Sequence, residues 1–290
     1  MHTSLVIGFD SAWSLNNSGA MVGALVANNN QSSSLGTPSV VNLEEAAKLI
    51  EKWQKEHRPT TTLILIDQPT IVPNMHGQRP VENIVGSPVG RRYGGVQSSN
   101  RSKQELFGDR APIWEFLNSF DGPCNPKRSC LNQQRKNCVI ETYPVLAMIA
   151  MGWLLDDDHR NPRATRRLPK YNPDKDRKKP TFIGDWQFVC HQTALGMNKL
   201  GLSHLEKWLT NAQNNAFPRK QDQDCLDACI CLLVGMLMAM NKDCLFVGNM
   251  DTGYMVVPYD ETLYQEIIDR CGNSNPKRYP VDWIAQFKIA

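Results

Sequence analysis

The 290-residue chain reads as a mixed α/β fold, a sheet with helices packed against it. Two patterns give this class. Short apolar runs rich in Val and Ile, at residues 4–9, 19–27, 61–66 and 138–140, carry the marks of buried strands. Longer stretches with apolar residues at helical spacing fall between and after them, and strands alternating with helices after an opening meander favour a mixed sheet covered by helices. A third observation bears on function. Three of the strands end in an acid: Asp10, Asp67 and Glu141.

Residues 4–9 form the first strand, with Asp10 at its C-terminal end. Residues 19–27 form the second, the polar stretch 28–34 a loop or turn, and 38–42 a short third strand. The helix over 43–57 has Leu43, Ala46, Ala47, Leu49, Ile50 and Trp53 at apolar positions. Asn42 suits its N-cap, Glu44 and Glu45 favour the positive end of the helix dipole, and Arg58-Pro59 stops it. Residues 61–66 form a β-branched strand before Asp67. The Gly-, Pro- and Asn-rich stretch 70–99 has no clear period and reads as a long ordered loop or an insertion at the site. Helical character over 102–120 is interrupted near Pro112. After the strand 138–140 and Glu141, Tyr143-Pro144 closes the run and 145–155 reads as helix. The basic, Pro-containing stretch 158–179 reads as a surface insertion or mobile loop. Helices around Gly196 and Gly201 fill 182–209, and the helix over 222–240 has an acidic first turn and a long apolar body. Residues 244–257 read as a hairpin turning at Asn249-Met250-Asp251-Thr252-Gly253. No internal repeat is visible. The chain is read as one domain over 1–290, with insertions at about 70–136 and 156–221.

A net charge of +3 says little about partners, so affinity for a polyanion rests on local clustering. The longest apolar run, 228–240, contains Gly235 and is too short for a bilayer. The N-terminus lacks the basic and apolar regions of a signal peptide, so a cytoplasmic protein with no membrane partner is expected. Of the nine cysteines, Cys225, Cys229 and Cys231 read as small buried hydrophobes in a reducing compartment. Cys124, Cys130 and Cys138 lack CxxC or HxxxH company, so free thiols are expected over a structural zinc. Residues 86–95 lack the P-loop order of glycines before Lys-Ser/Thr, and no Ser-His-Asp or Cys-His signature is present. His191 and His76 read as surface or structural residues; His76, just after the Asp67 strand, has a secondary claim to assist proton transfer.

Parallel neighbouring strands would bring the three strand-end acids to one edge of the sheet, where open α/β sheets bind ligands. The late helix opens with Asp222, Asp224 and Asp227, and the last two share a helix face. Packed across the sheet, its first turns would reach the same edge. Two carboxylates about 4 Å apart repel by about 4 kcal/mol at an effective dielectric near 20, so such a set needs protons or cations to neutralise it. Oxygen-only ligands favour Mg²⁺ or Mn²⁺ over zinc. Two such ions roughly 4 Å apart can activate a water and stabilise the leaving oxygen in phosphodiester cleavage. Each Asp also has a plainer role open to it, as a turn residue or a helix cap, Asp222 above all.

Four segments carry a family resemblance: Ile7-Gly8-Phe9-Asp10-Ser11-Ala12-Trp13, Ile66-Asp67-Gln68-Pro69, Glu141-Thr142-Tyr143-Pro144 and Asp224-Cys225-Leu226-Asp227-Ala228. In this order and spacing they resemble the DUF429 family, regarded as ribonuclease H-like nucleases related to the resolvase-type branch. The resemblance covers about residues 4–67, 138–147 and 222–257, including Val256-Val257-Pro258. It implies a ribonuclease H-like mixed five-stranded sheet flanked by helices, with long insertions and a C-terminal hairpin. It also implies metal ligation by Asp10, Asp67 and Asp227 or Asp224. Glu141 is then a fourth ligand or the group that orients the attacking water.

Two basic stretches suit a nucleic-acid backbone. One holds Arg79, Arg91, Arg92, Arg101, Lys103 and Arg110. The other holds Arg160, Arg163, Arg166, Arg167, Lys170, Lys175, Arg177, Lys178 and Lys179. Tyr93, Trp114 and Tyr171 are the candidates to stack on bases. Solvated loops, or salt bridges to the interspersed acids, are the alternative. No motif specifies base sequence, or DNA over RNA. The leading expectation is a Mg²⁺- or Mn²⁺-dependent nuclease using two ions. Actin-like ATPases share the ribonuclease H topology, so an ATP-using phosphotransferase or ATPase competes, but residues 11–19 only weakly match a phosphate-binding turn. A catalytically silent binding module is the third reading, and retention of every acid weighs against it.

Overall fold

In the computed structural model, which describes residues 3–14, 17–27, 29–127, 136–156, 166–274 and 276–289, β1 (Thr3–Asp10) is the middle strand of a six-stranded mixed sheet. It pairs antiparallel with β2 (Gly19–Ala27). The edge strands β3 (Ser32–Ser34) and β4 (Ser39–Val41) both pair antiparallel with β2. After helix α1 (Leu43–His57), β5 (Thr61–Ile66) returns parallel to β1, and β6 (Asn137–Glu141) adds parallel to β5. The order β3-β2-β1-β5-β6, with β4 also paired to β2, extends the expected five strands to six. The extra one, β3, lies in a stretch expected to be loop. Its serines give no apolar alternation; its pairing is set by a turn in which Asn30 takes φ 59°, a conformation Asn tolerates.

Alternation along β1 divides the core in two. Leu5, Ile7 and Phe9 pack with Ala46, Ile50 and Trp53 of α1 and with Ile113, Phe116 and Leu117 of α4 (Pro112–Ser119). Asn42 caps α1, its side chain accepting from Glu45 N while Glu45 accepts from Asn42 N, both at 2.9 Å. Val6 and Gly8 face the other way, onto α9 (Lys220–Ala239). Between α1 and α9 in sequence come α2 (Pro80–Arg91), α3 (Gln104–Phe107), α5 (Pro144–Ala150), the short strands β7 (Leu155–Asp156) and β8 (Arg166–Arg167), α6 (Pro173–Asp176), α7 (Phe182–Lys199) and α8 (Ser203–Gln213). The chain closes with β9 (Cys244–Asn249), β10 (Gly253–Pro258), α10 (Glu261–Gly272), α11 (Pro280–Trp283) and β11 (Ile284–Phe287). The expected hairpin is β9–β10, and β11 makes it a three-stranded antiparallel sheet.

Gly8 sets the height of α9 above the sheet. A Cβ there would stand 2.1 Å from Ala228 O and 2.3 Å from Leu232 N, both backbone atoms that no rotamer can move. Gly8→Ala must therefore lift the helix or bend the strand. Overpacking costs roughly 1–3 kcal/mol, and the upper end is expected in urea unfolding. Gly86→Ala in α2, where an added Cβ meets nothing within 4 Å, is the control. It should be neutral or stabilise by up to about 1 kcal/mol through helix propensity. A neutral Gly8→Ala would contradict the packing described.

Three other expectations change. The stretch 70–99 contains α2, hidden from periodicity by Gly86, Pro88 and Gly90. The helix expected over 145–155 is shorter, and Gly152 at φ +70° follows its end. Of 158–179, residues 166–179 are described, and these pack down: Leu168, Tyr171 and Asp176 are buried. Cys124 and Cys138 are joined in a disulfide, not held as thiols; Cys130 lies outside the described residues. Cys225, Cys229 and Cys231 are free and buried as expected. Among the described residues, no helix is long and apolar enough to cross a membrane.

Candidate functional site

The parallel register places Phe9 beside Ile66 and Ile66 beside Glu141. Asp10, Asp67 and Glu141 therefore leave the sheet at one edge. Asp67 N donates to Phe9 O at 2.9 Å, and the Trp13 ring N–H donates to Asp67 O at 2.9 Å, clamping the two strand ends together. Trp13 does this at φ 57°, a left-handed conformation uncommon for a bulky residue. Because α9 rests directly on Gly8, its first turns reach the same edge. Asp10, Asp67, Asp224 and Asp227 all line one cleft of about 1190 Å³.

Three of these acids, Asp10, Asp67 and Asp227, hold their protons more tightly than an ordinary carboxyl. Burial, then Asp227, Asp67 and Asp224, push the Asp10 carboxyl well above the usual carboxylate range. Burial, then Asp227 and Glu141, do the same to Asp67. Burial raises Asp227 as well, and after the opposing hydrogen bonds and Lys220 it stands at about 6. Asp227 Oδ1 accepts from the Tyr171 hydroxyl at 2.6 Å and Oδ2 from Gln223 Nε2 at 3.0 Å. Lys220 Nζ is bonded to Asp224 Oδ1 one turn away. Ser11 Oγ donates to Gln68 Oε1, while Gln68 Nε2 and Gln223 Oε1, buried at the cleft, have no hydrogen-bond partner among the described residues. Asp222, in contrast, caps its helix: its Oδ2 accepts from Arg219 N at 2.7 Å.

Residues 16–251 match the family described as Protein of unknown function (DUF429). The chain belongs to the DUF429 family. The matched span contains Asp67, Glu141, Asp224 and Asp227, and Asp10 lies just before it. No curated protein and no solved structure matches the chain.

In this DUF429 chain, Glu141 reaches the edge of the cleft but its carboxylate is engaged elsewhere. Arg79 Nη2 donates to Oε1 at 2.6 Å, Arg79 Nη1 to Oε2 at 2.9 Å, and Thr70 N to Oε2 at 3.0 Å. That pairing engages both carboxylate oxygens of Glu141. The basic residues expected to grip a backbone also turn out to be engaged. Arg92 forks onto Glu266 at 2.7 and 2.9 Å, and Arg167 onto Asp185. Arg101 pairs with Asp109 and lies over the Trp114 ring. Lys103 donates to Ser98 O and Arg166 to Leu154 O. Arg91 is exposed, and none of these six lines the cleft. Arg160 and Arg163 lie outside the described residues. The lysines that do line it are Lys170, Lys175 and Lys220. Of the expected stacking residues, Tyr93 and Tyr171 line the cleft, Tyr171 buried with its hydroxyl bonded to Asp227, and Trp114 lies away from it. His76 and His191 do not line it. In the sequence, Lys220 and Gln223 carried no assigned role, and Gln68 stood in its motif without one. Their signal was position alone, one helical turn from Asp224 and Asp227 or next to Asp67.

Among the described residues, no group of three or more His, Cys, Asp or Glu is drawn together closely enough to hold a metal ion. The chemistry of the donor set nevertheless suits a hard cation. No hydrogen-bond donor among the described residues reaches the carboxylate of Asp10 or Asp67, and burial, then the neighbouring acids, hold both above the ordinary carboxylate range. Repulsion between unneutralised carboxylates favours a spread-out set.

Proposed function

We propose that this DUF429 protein is a divalent-metal-dependent nuclease built on a ribonuclease H-like sheet. One observation carries the reading: carboxylates from β1, β5 and α9 converge in one cleft with too little positive charge to neutralise them. The strand order, antiparallel on one side of β1 and parallel on the other, supports the fold reading. Asp10, Asp67 and Asp227 would hold Mg²⁺ or Mn²⁺. The cation would supply charge neutralisation and a polarised water for attack on phosphorus. Tyr171 fixes the orientation of Asp227, and Trp13 fixes the separation of the two strand ends. Lys170 and Lys175 bring positive charge to the cleft wall, where a phosphodiester backbone would run. Glu141 orders the loops around the site through Arg79.

The test is incubation with branched, single-stranded, duplex and hybrid nucleic acids in Mg²⁺ or Mn²⁺. Cleavage is expected for at least one class, and its loss in Asp10→Asn and Asp67→Asn. Cleavage that survives both substitutions would sink the site. No cleavage, with measurable ATP turnover, would favour a phosphotransferase or ATPase.

A further inference from the structure

We propose that Lys220 is a tethered cation that takes the place of a second metal ion, so that each chain binds one divalent cation. The inference rests on the metal-site reading above and narrows it. Asp10, Asp67, Asp224 and Asp227, all ionised, carry the charge that two divalent cations would balance. Lys220 already answers one of them: it opens α9, and its Nζ is bonded to Asp224 one turn later. An ordinary exposed pair at this spacing would touch only its partner. Lys220 instead lines the same cleft as Asp10, Asp67, Asp224 and Asp227. The Asp224 end of the bond is buried, while the Lys220 side chain is half exposed. The oxygens left over belong to Asp10, Asp67 and Asp227. Asp10 is 8% exposed and meets no hydrogen-bond donor among the described residues. A hard cation would draw these three carboxylates in around it, and a second would have to displace an ammonium group that the helix delivers to the site.

Mn²⁺ titration of the full chain at pH 7, counting free ion by its electron paramagnetic resonance signal, tests this. One ion per chain is expected for wild type and for Lys220→Arg, and two for Lys220→Met. Lys220→Gln gives the same reading should the Met variant melt early in chelator. Two ions in wild type or in Lys220→Arg, or one in both neutral variants, overturns the inference and leaves the metal reading standing. No bound Mn²⁺ in any variant overturns both.

Discussion

Asp67→Asn is expected to make the metal-free protein more stable at pH 7 while abolishing metal-dependent activity. The sign follows from the direction of the proton affinities. Asp10, Asp67 and Asp227 are all raised in the folded state, each mainly by burial. A carboxyl with a raised folded pKa favours folding below its unfolded pKa, and that contribution is lost as pH rises through the folded value. Asp227 gives the scale. Raised from 3.8 to about 6, its ionised form costs roughly 3 kcal/mol by pH 7, at about 1.4 kcal/mol per unit. In chelator, wild type should therefore lose stability from about pH 4 upward through pH 6 and beyond. Asp67→Asn removes one charge from the set, so its advantage should be absent near pH 4 and grow with pH. Mn²⁺ at pH 7 should restore wild type by mass action and do far less for the variant. Thermal melts across this range in EDTA and in Mn²⁺ read all of these outcomes. A variant less stable than wild type at pH 7 in chelator would show that Asp67 is held by favourable contacts instead of confined among like charges.

The same electrostatics explains what the sequence revealed. Strand-end acids are legible because β-branched runs announce their strands, and a parallel register follows from a helix between β1 and β5. The acidic first turns of α9 were equally plain. The height of α9 was written in Gly8, but a glycine in a strand does not say which backbone approaches it. The engagement of the basic residues was not legible, because sequence gives charge without partners. Arg92 finds Glu266, 174 residues away, and Arg167 finds Asp185, 18 residues away. Such pairs are fixed by tertiary packing, and so is the placement of Tyr171. Its segment looked like solvated loop because only a few of its residues, Leu168, Tyr171 and Pro173 among them, face inward.

Arg79→Met is expected to cost about 3–5 kcal/mol, because it strands two buried carboxylates. Arg79 is fully buried; its Nε donates to Glu82 at 2.8 Å and its fork holds both oxygens of Glu141. Nη1 also reaches Ile71 O at 3.1 Å, and Glu82 Oε2 accepts from Ser99 N at 3.0 Å. The cluster thus ties both ends of the 70–99 segment to β6. A Cβ at Gly253 would stand 2.7 Å from Arg79 Nη1, so β10 closes directly over it. Lysine cannot span two carboxylates with a planar fork, so Arg79→Lys should rescue little. Combining Arg79→Met with Glu141→Gln should recover part of the loss, since one stranded charge disappears. Urea unfolding of the double-mutant cycle measures that coupling. Glu141→Gln alone separates the two roles open to this acid. As the counter-ion of Arg79 it should lower stability and leave Mn²⁺ affinity nearly unchanged. A large fall in Mn²⁺ affinity with stability intact would return Glu141 to the ligand set and make Arg79 a gate on it.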